Sequence, residues 1–140
     1  LPITDIKMTR FIINLNQGVK FVLDSLFSMS GGEIFVPKIP SINIIDLVTC
    51  MAGEGQYDEV GIRPGEKLHE VMIPKEESLN CIDMNEYYII QPMFSWWNTD
   101  QLKLSIGNKG KAVSKSFEYS SDSNKDFLTI DGIKNILLQG

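Results

Sequence analysis

Thirteen basic side chains include only two arginines, Arg10 and Arg63, and these are the residues best suited to gripping an anion. Lysine is the ordinary surface cation, whereas the planar guanidinium fork holds a phosphate or carboxylate at two points. Arg10 ends an extended segment ahead of the β-prone Phe11-Ile12-Ile13, and Arg63 opens the turn Arg63-Pro64-Gly65-Glu66 behind a strand-like stretch over 57–62. Strand ends and the loops after them are where α/β folds bind ligands. Two guanidiniums converging there would hold a diphosphate. The competing reading gives each its own salt bridge, with Asp5 or Glu66 as partner. A Glu66 carboxylate suits a sugar's paired hydroxyls. It equally suits the first turn of a helix, where an acid gains about 0.3–1 kcal/mol from the dipole. Thr9 and Met8 matter only as neighbours of Arg10. Trp96-Trp97 offers either a ring to stack on a ligand or a piece of core or interface.

No catalytic set accompanies these side chains. The single histidine, His69, precedes Glu70, but the second histidine that a zincin motif needs four residues on is missing, so no metal site is expected. Cys50 and Cys81 form no CxxC pair and cannot build a four-thiolate site. There is no glycine-rich strand-to-helix loop for a dinucleotide, since the nearest cluster, Gly53-Glu54-Gly55, follows a predicted helix instead. No G-x-S-x-G elbow and no Tyr-x-x-x-Lys pair occurs.

The composition bounds the remaining choices. The 140 residues make about one domain, with 43% hydrophobic and 22% charged residues, an ordinary globular balance. A net charge of −5 argues against a nucleic-acid partner, which selects a basic face. No apolar run approaches the ~18 residues of a membrane span. The two widely spaced cysteines suggest a reducing compartment. The chain starts at Leu1 with neither an initiator methionine nor a signal-peptide pattern, which reads as a piece of a longer protein.

The elements that must carry the arginines follow from periodicity. Asn14, with Gln17 three residues on, predicts a capped helix with Val19, Val22, Leu23, Leu26 and Phe27 on one face, ending at Gly31-Gly32. Glu33–Val36 reads as a strand closed by Pro37. Asn43 predicts the cap of a second helix with Asp46 in its first turn, a buried stripe of Ile44, Leu47, Val48 and Met51, and a stop at Gly53. Val71–Ile73 and Tyr87–Ile90 read as strands, and Asp131–Leu138 as a closing helix. Gly107-Asn108-Lys109-Gly110 predicts a turn. Residues 114–125 carry five serines and predict an exposed stretch, within a polar arm spanning 98–128. The strand–helix alternation predicts an α/β fold.

Several of these segments occur together in one family. Pro2-Ile3-Thr4-Asp5 with Met8-Thr9-Arg10-Phe11, Gly32 through Ser41, the ten residues Gly61 through Glu70, and Phe117 through Ser121 resemble, in order, the C-terminal part of UDP-N-acetylglucosamine 4,6-dehydratases. The resemblance is to the inverting, 5-epimerising branch of these extended short-chain dehydrogenase/reductases. It implies a C-terminal substrate-binding lobe over 1–140, with Glu33–Val36 as a late strand of a Rossmann sheet. The Rossmann part, with its NADP site and catalytic groups, would lie on chain not present here.

The same resemblance implies a reaction in which the sugar is oxidised at C4, loses water across C5 and C6 and inverts at C5. This chain alone would be inactive. Arg63 would face the diphosphate, Glu66 the nucleotide ribose or its neighbours, Arg10 a second point on the diphosphate, and Thr9 a weaker contact. A UDP-N-acetylhexosamine substrate, a cytoplasmic location and a homo-oligomer at full length are also implied. Ile12 departs from the family's tryptophan after Thr-Arg-Phe, and Asn14 from its threonine. The rival expectation is a non-catalytic module that binds nucleotide sugars or assembles with partners.

Overall fold

A computed structural model describes residues 1–94 and 110–139. Trp96-Trp97 and most of the Gly107–Gly110 turn lie outside them. The chain is mixed α/β and divides into two compact units.

The first unit comprises 1–15, 39–71 and 119–140. Strand β1 (Pro2–Ile3) runs parallel to β5 (Asp58–Glu59). Strand β2 (Thr9–Phe11) runs antiparallel to β4 (Ser41–Asn43), with Arg10 opposite Ile42. Helix α2 (Ile44–Ala52) follows β4 directly and packs against α3 (Ile130–Gln139). Asn43 does occupy the N-cap position, but its side chain makes no capping bond. The N–H of Ile44, the first helical residue, donates to the Met8 carbonyl at 3.0 Å, so the segment ahead of β2 satisfies one of the helix's free donors. Only Val48 of the predicted stripe is fully buried, and Met51 is exposed. Gly53 ends the helix at φ +95°, a conformation that glycine adopts without strain. Ile3, Met8, Ile42, Val48, Tyr119 and Ile133 make the core.

The second unit comprises 16–38 and 72–118. Its sheet is antiparallel throughout, in the order β3 (Ile34–Pro37), β8 (Tyr87–Ile90), β7 (Cys81–Asp83), β9 (Lys111–Ala112). The predicted strand at Glu33–Val36 forms over Ile34–Pro37, where β8 pairs it along its whole length and only its outer edge is unpaired within the sheet. Glu33 itself precedes β3; its buried carboxylate accepts the N–H groups of Ser30 and Gly31, which holds the turn out of α1 (Leu15–Ser28). No residue of α1 is fully buried, and Phe27 is 86% exposed. Val36, Ile73, Cys81, Tyr88, Ile89 and Ile90 form this unit's core. Burial pushes the Cys81 thiol up to about 11, helped by the nearby Asp83 charge, so it packs as a neutral group.

Lys38 donates to Asp83 at 2.6 Å while its ammonium lies 4.4 Å from the Tyr88 ring centroid. Burial alone would raise the Asp83 carboxyl. The Lys38 bond and charge and the Asn85 N–H outweigh it and hold the carboxyl below its ordinary 3.8. A lowered carboxylate stabilises the fold above its unfolded value, and that contribution disappears as pH falls through the folded one. Asp83→Asn is therefore expected to cost about 1 kcal/mol or less at pH 7, since the pair is partly solvated. Urea unfolding at pH 7 and pH 3 checks this: the gap between wild type and D83N should be smaller at pH 3 than at pH 7.

The predicted exposed stretch at 114–125 is exposed at 114–116, 122, 123 and 125, but its centre is not. Phe117 N–H closes a turn onto Ser114 O, and β10 (Tyr119–Ser120) follows. Tyr119, Ser120 and Ser121 are buried, the last at 0% exposure. Serines can be buried when every hydroxyl is matched, and these are.

Candidate functional site

The proposed grip lies within the first unit, on the loop from Arg63 to Glu70. Its tip is a type II turn built by local chemistry. The Glu66 N–H donates to Arg63 O at 3.0 Å, Pro64 supplies the fixed φ of the second position, and Gly65 takes φ +83° at the third. No helix begins here, so Glu66 is not a first-turn acid. One of its carboxylate oxygens accepts the Arg63 N–H at 3.2 Å, and the other faces the Thr4 hydroxyl at 3.0 Å. Both are therefore occupied in bracing the turn against β1's exit. Arg63 is tied to Glu66 through its backbone N–H and C=O, while its guanidinium is exposed and makes no ion pair among the described residues.

The rest of the loop is fastened to β2. Arg10 Nη1 donates to Thr9 O at 2.7 Å and Leu68 O at 3.1 Å. Its Nη2 donates to Lys67 O at 3.0 Å and faces Met8 Sδ at 3.4 Å. Nε lies 3.6 Å from a Glu70 carboxylate oxygen. The Thr9 N–H donates to Leu68 O at 3.2 Å. One residue on, the Thr9 hydroxyl sits between His69 Nδ1 at 2.8 Å and Ser121 Oγ at 2.6 Å. Ser121 Oγ accepts the Glu70 N–H at 2.9 Å, and the Ser121 N–H donates to Glu70 O at 2.8 Å. Beside this cluster the Ser120 hydroxyl bond holds the Asp122 carboxyl below its ordinary range, with a smaller contribution from His69.

The structure thus fastens the loop carrying Arg63 and Glu66 to the strand carrying Thr9 and Arg10, with different exposures among the four. Thr9 is 5% exposed, and its hydroxyl links His69 and Ser121. Each guanidinium nitrogen of Arg10 faces a protein acceptor. Of Arg10, Thr9, Arg63 and Glu66, Arg63 is the one classed as exposed. Thr4, His69 and Ser121, which no sequence motif marks as partners of the site, hold Glu66 and Thr9 in place. A signal existed for Ser121 in the Phe117–Ser121 segment, but its polarity pointed to the surface.

Two cavities lie elsewhere, in the second unit. One of about 200 Å³ is lined by Phe21, Asp24, Phe35, Glu86 and Tyr87 among others, and one of about 360 Å³ by Val22, Leu26, Met29 and Ile34 among others. Neither includes a residue of the 63–70 loop. Among the described residues no three His, Cys, Asp or Glu side chains gather as a metal site. At the β4–α2 junction no glycine separates strand from helix, so that junction offers no backbone cradle for a pyrophosphate. No described helix is long and apolar enough to cross a membrane.

Comparison with known proteins places these features. The chain is 47% identical over 126 residues to an inverting UDP-N-acetylglucosamine 4,6-dehydratase of Campylobacter jejuni, covering 89% of this chain and 38% of that protein. A second C. jejuni protein of the same description, from serotype O:23/36, is 42% identical over 139 residues, covering 98% of this chain and 42% of the relative. The chain therefore spans about two fifths of the length of these relatives. The crystal structure described as Pen from Bacillus thuringiensis shares the fold with a TM-score of 0.76 at 27% identity, over 99% of this chain and 41% of that one. A family model described as polysaccharide biosynthesis protein matches residues 1–92, from β1 through the Arg63 turn to the end of β8, and the chain belongs to that family.

Proposed function

We propose that this chain is the C-terminal, substrate-holding part of an NADP-dependent UDP-N-acetylglucosamine 4,6-dehydratase that inverts C5, with Arg63 holding the nucleotide diphosphate. The observation that carries the reading is an outward guanidinium on a turn whose backbone is braced on both sides, in a chain 42–47% identical to two such dehydratases. A diphosphate is remote from the sugar carbons that react. Binding energy gained there anchors the hexose so that C4 to C6 meet the reacting groups. Those groups and the NADP site belong to chain beyond these 140 residues, which also supplies the second wall of the pocket. Glu66 serves mainly by holding the turn, and its ribose contact would have to share an oxygen already engaged. The whole protein is a cytoplasmic homo-oligomer in this reading.

The test compares UDP, UMP and uridine by calorimetry on the protein expressed over its whole reading frame. A grip on the diphosphate predicts that UDP binds at least 10-fold tighter than UMP, and that uridine binds weakest. Equal affinities for the three would overturn the reading. So would failure of the same protein to convert UDP-N-acetylglucosamine to a 4-keto-6-deoxy product, followed by proton NMR.

A further inference from the structure

We propose that a hollow of the second unit, beside α1, β3 and β8, binds a small methylated ammonium ion. It encloses about 200 Å³ and is lined by three aromatic rings, Phe21, Phe35 and Tyr87, two carboxylates, Asp24 and Glu86, and two serines. That volume holds several waters at ~30 Å³ each and falls below the ~300–1,000 Å³ of pockets for larger ligands, so it suits an ion of headgroup size. The hollow includes no residue of the 63–70 loop, and the proposal stands independently of the diphosphate reading.

Strand register brings the rings together. Tyr87 pairs with Pro37 across the β3–β8 ladder, and Phe35, two residues before Pro37, shares that face of the sheet. The Phe35 and Tyr87 centroids lie 5.6 Å apart. The Phe21 ring, from α1, lies 6.1 Å from Tyr87 and at 67° to it. Aromatic faces carry negative charge and attract a cation.

The polar lining has the same preference. The Glu86 C=O accepts the Lys38 N–H at 3.2 Å, while its carboxylate makes no hydrogen bond or ion pair among the described residues. Asp24 pairs with Lys20, but both side chains are largely exposed, a weak match that a ligand can share. The Ser25 and Ser28 hydroxyls donate to Phe21 O at 2.7 Å and Asp24 O at 2.8 Å. No lining residue is basic, so the hollow offers little to an anion. The other face of this sheet already shows the chemistry, since the Lys38 ammonium meets the Asp83 carboxylate at 2.6 Å and the Tyr88 ring at 4.4 Å. Three rings favour a methylated ammonium over a primary one, whose strong hydration has to be replaced by hydrogen bonds.

The experiment is calorimetric titration of the protein expressed over its whole reading frame with choline, with methylammonium, and with choline's neutral isostere, in which tert-butyl replaces trimethylammonium. Choline is expected to bind about 10-fold tighter than the isostere, because only the charge differs between them. E86Q, which keeps the side chain's shape, should weaken choline about 3- to 10-fold and leave the isostere unaffected. F35L and Y87L should each weaken choline by about 3-fold or more, through loss of a ring. Far-UV melts accompany each variant, and E86Q, with its exposed side chain, carries the test if the ring variants unfold. No measurable choline binding by wild type overturns the proposal. So does equal affinity for choline and the isostere, or unchanged choline affinity in E86Q. Methylammonium binding as tightly as choline also overturns it, since the carboxylates would then act without the rings.

Discussion

Alanine at position 63 lowers UDP affinity by roughly 10- to 100-fold in the protein expressed over its whole reading frame. The size follows from what is removed. A hydrogen bond to a charged group contributes about 1.5–3 kcal/mol, and about 1.4 kcal/mol is one decade of affinity. The fold should not notice the change, because the Arg63 side chain is exposed and the turn is held by backbone and Glu66 groups that alanine retains. Exposed substitutions of this kind usually stay within about 0.5 kcal/mol of wild type. R63K should recover only part of the loss, since a point charge replaces a two-point fork. The affinity difference between R63A and wild type should also shrink as salt rises, because an exposed cation is screened over about 8–10 Å at 0.1–0.15 M. Calorimetric titration of UDP at two ionic strengths measures both effects. Equal affinity in R63A and wild type would remove the diphosphate contact from this residue.

Tyr119→Ala unfolds or nearly unfolds the first unit, and Tyr119→Phe separates the hydroxyl's part from the ring's. The hydroxyl donates to Ile39 O and accepts the Ile39 N–H, both at 2.9 Å, so one side chain matches both polar groups of a residue 80 positions away. In the phenylalanine variant the Ile39 carbonyl keeps the Asn124 amide at 2.9 Å, but the N–H loses the partner described here. That loss is expected to cost about 1–3 kcal/mol. The ring lies tilted with its centroid 4.8 Å from that of Phe11 at the end of β2, and truncating a buried aromatic costs a further 3–5 kcal/mol or so. Few domains of this size have that much stability in reserve.

The pH dependence of the two variants has a definite sign. Burial raises the Tyr119 phenol above its ordinary 10, with Asp126 adding to the rise and the Ile39 N–H opposing it. A raised value means that the neutral form is favoured in the fold. This contribution is complete below pH 10 and is lost as pH climbs through the raised value. Guanidinium unfolding of wild type and Y119F from pH 7 to 11 checks it. The stability gap should narrow above pH 10, and a constant gap would show that the hydroxyl does not matter in this way.

Much of the local structure was legible. Helical spacing located α1, α2 and α3 within a residue or two, and the Pro-Gly pair located the Arg63 turn. The misreadings have identifiable causes. The serine-rich stretch near 120 looked like surface because polarity says nothing of whether hydroxyls find partners, and Ser121 finds several. The α1 stripe was real as a pattern, yet Val22, Leu26 and Phe27 are exposed. An amphipathic face states a need for cover without naming what supplies it.

The sequence by itself determined where the turn falls, that Gly65 lets it close, and that Arg63 stands at its tip. These depend on residues within four positions of one another, where covalent geometry and single hydrogen bonds decide. Tertiary structure alone decided that Arg10 clasps the loop carbonyls instead of facing outward, and that Thr9 is shut between His69 and Ser121. Those partners lie 57 to 112 residues apart. Their choice depends on the path of the whole chain, because many donors and acceptors satisfy the same local rules and only packing brings one particular set within 3 Å.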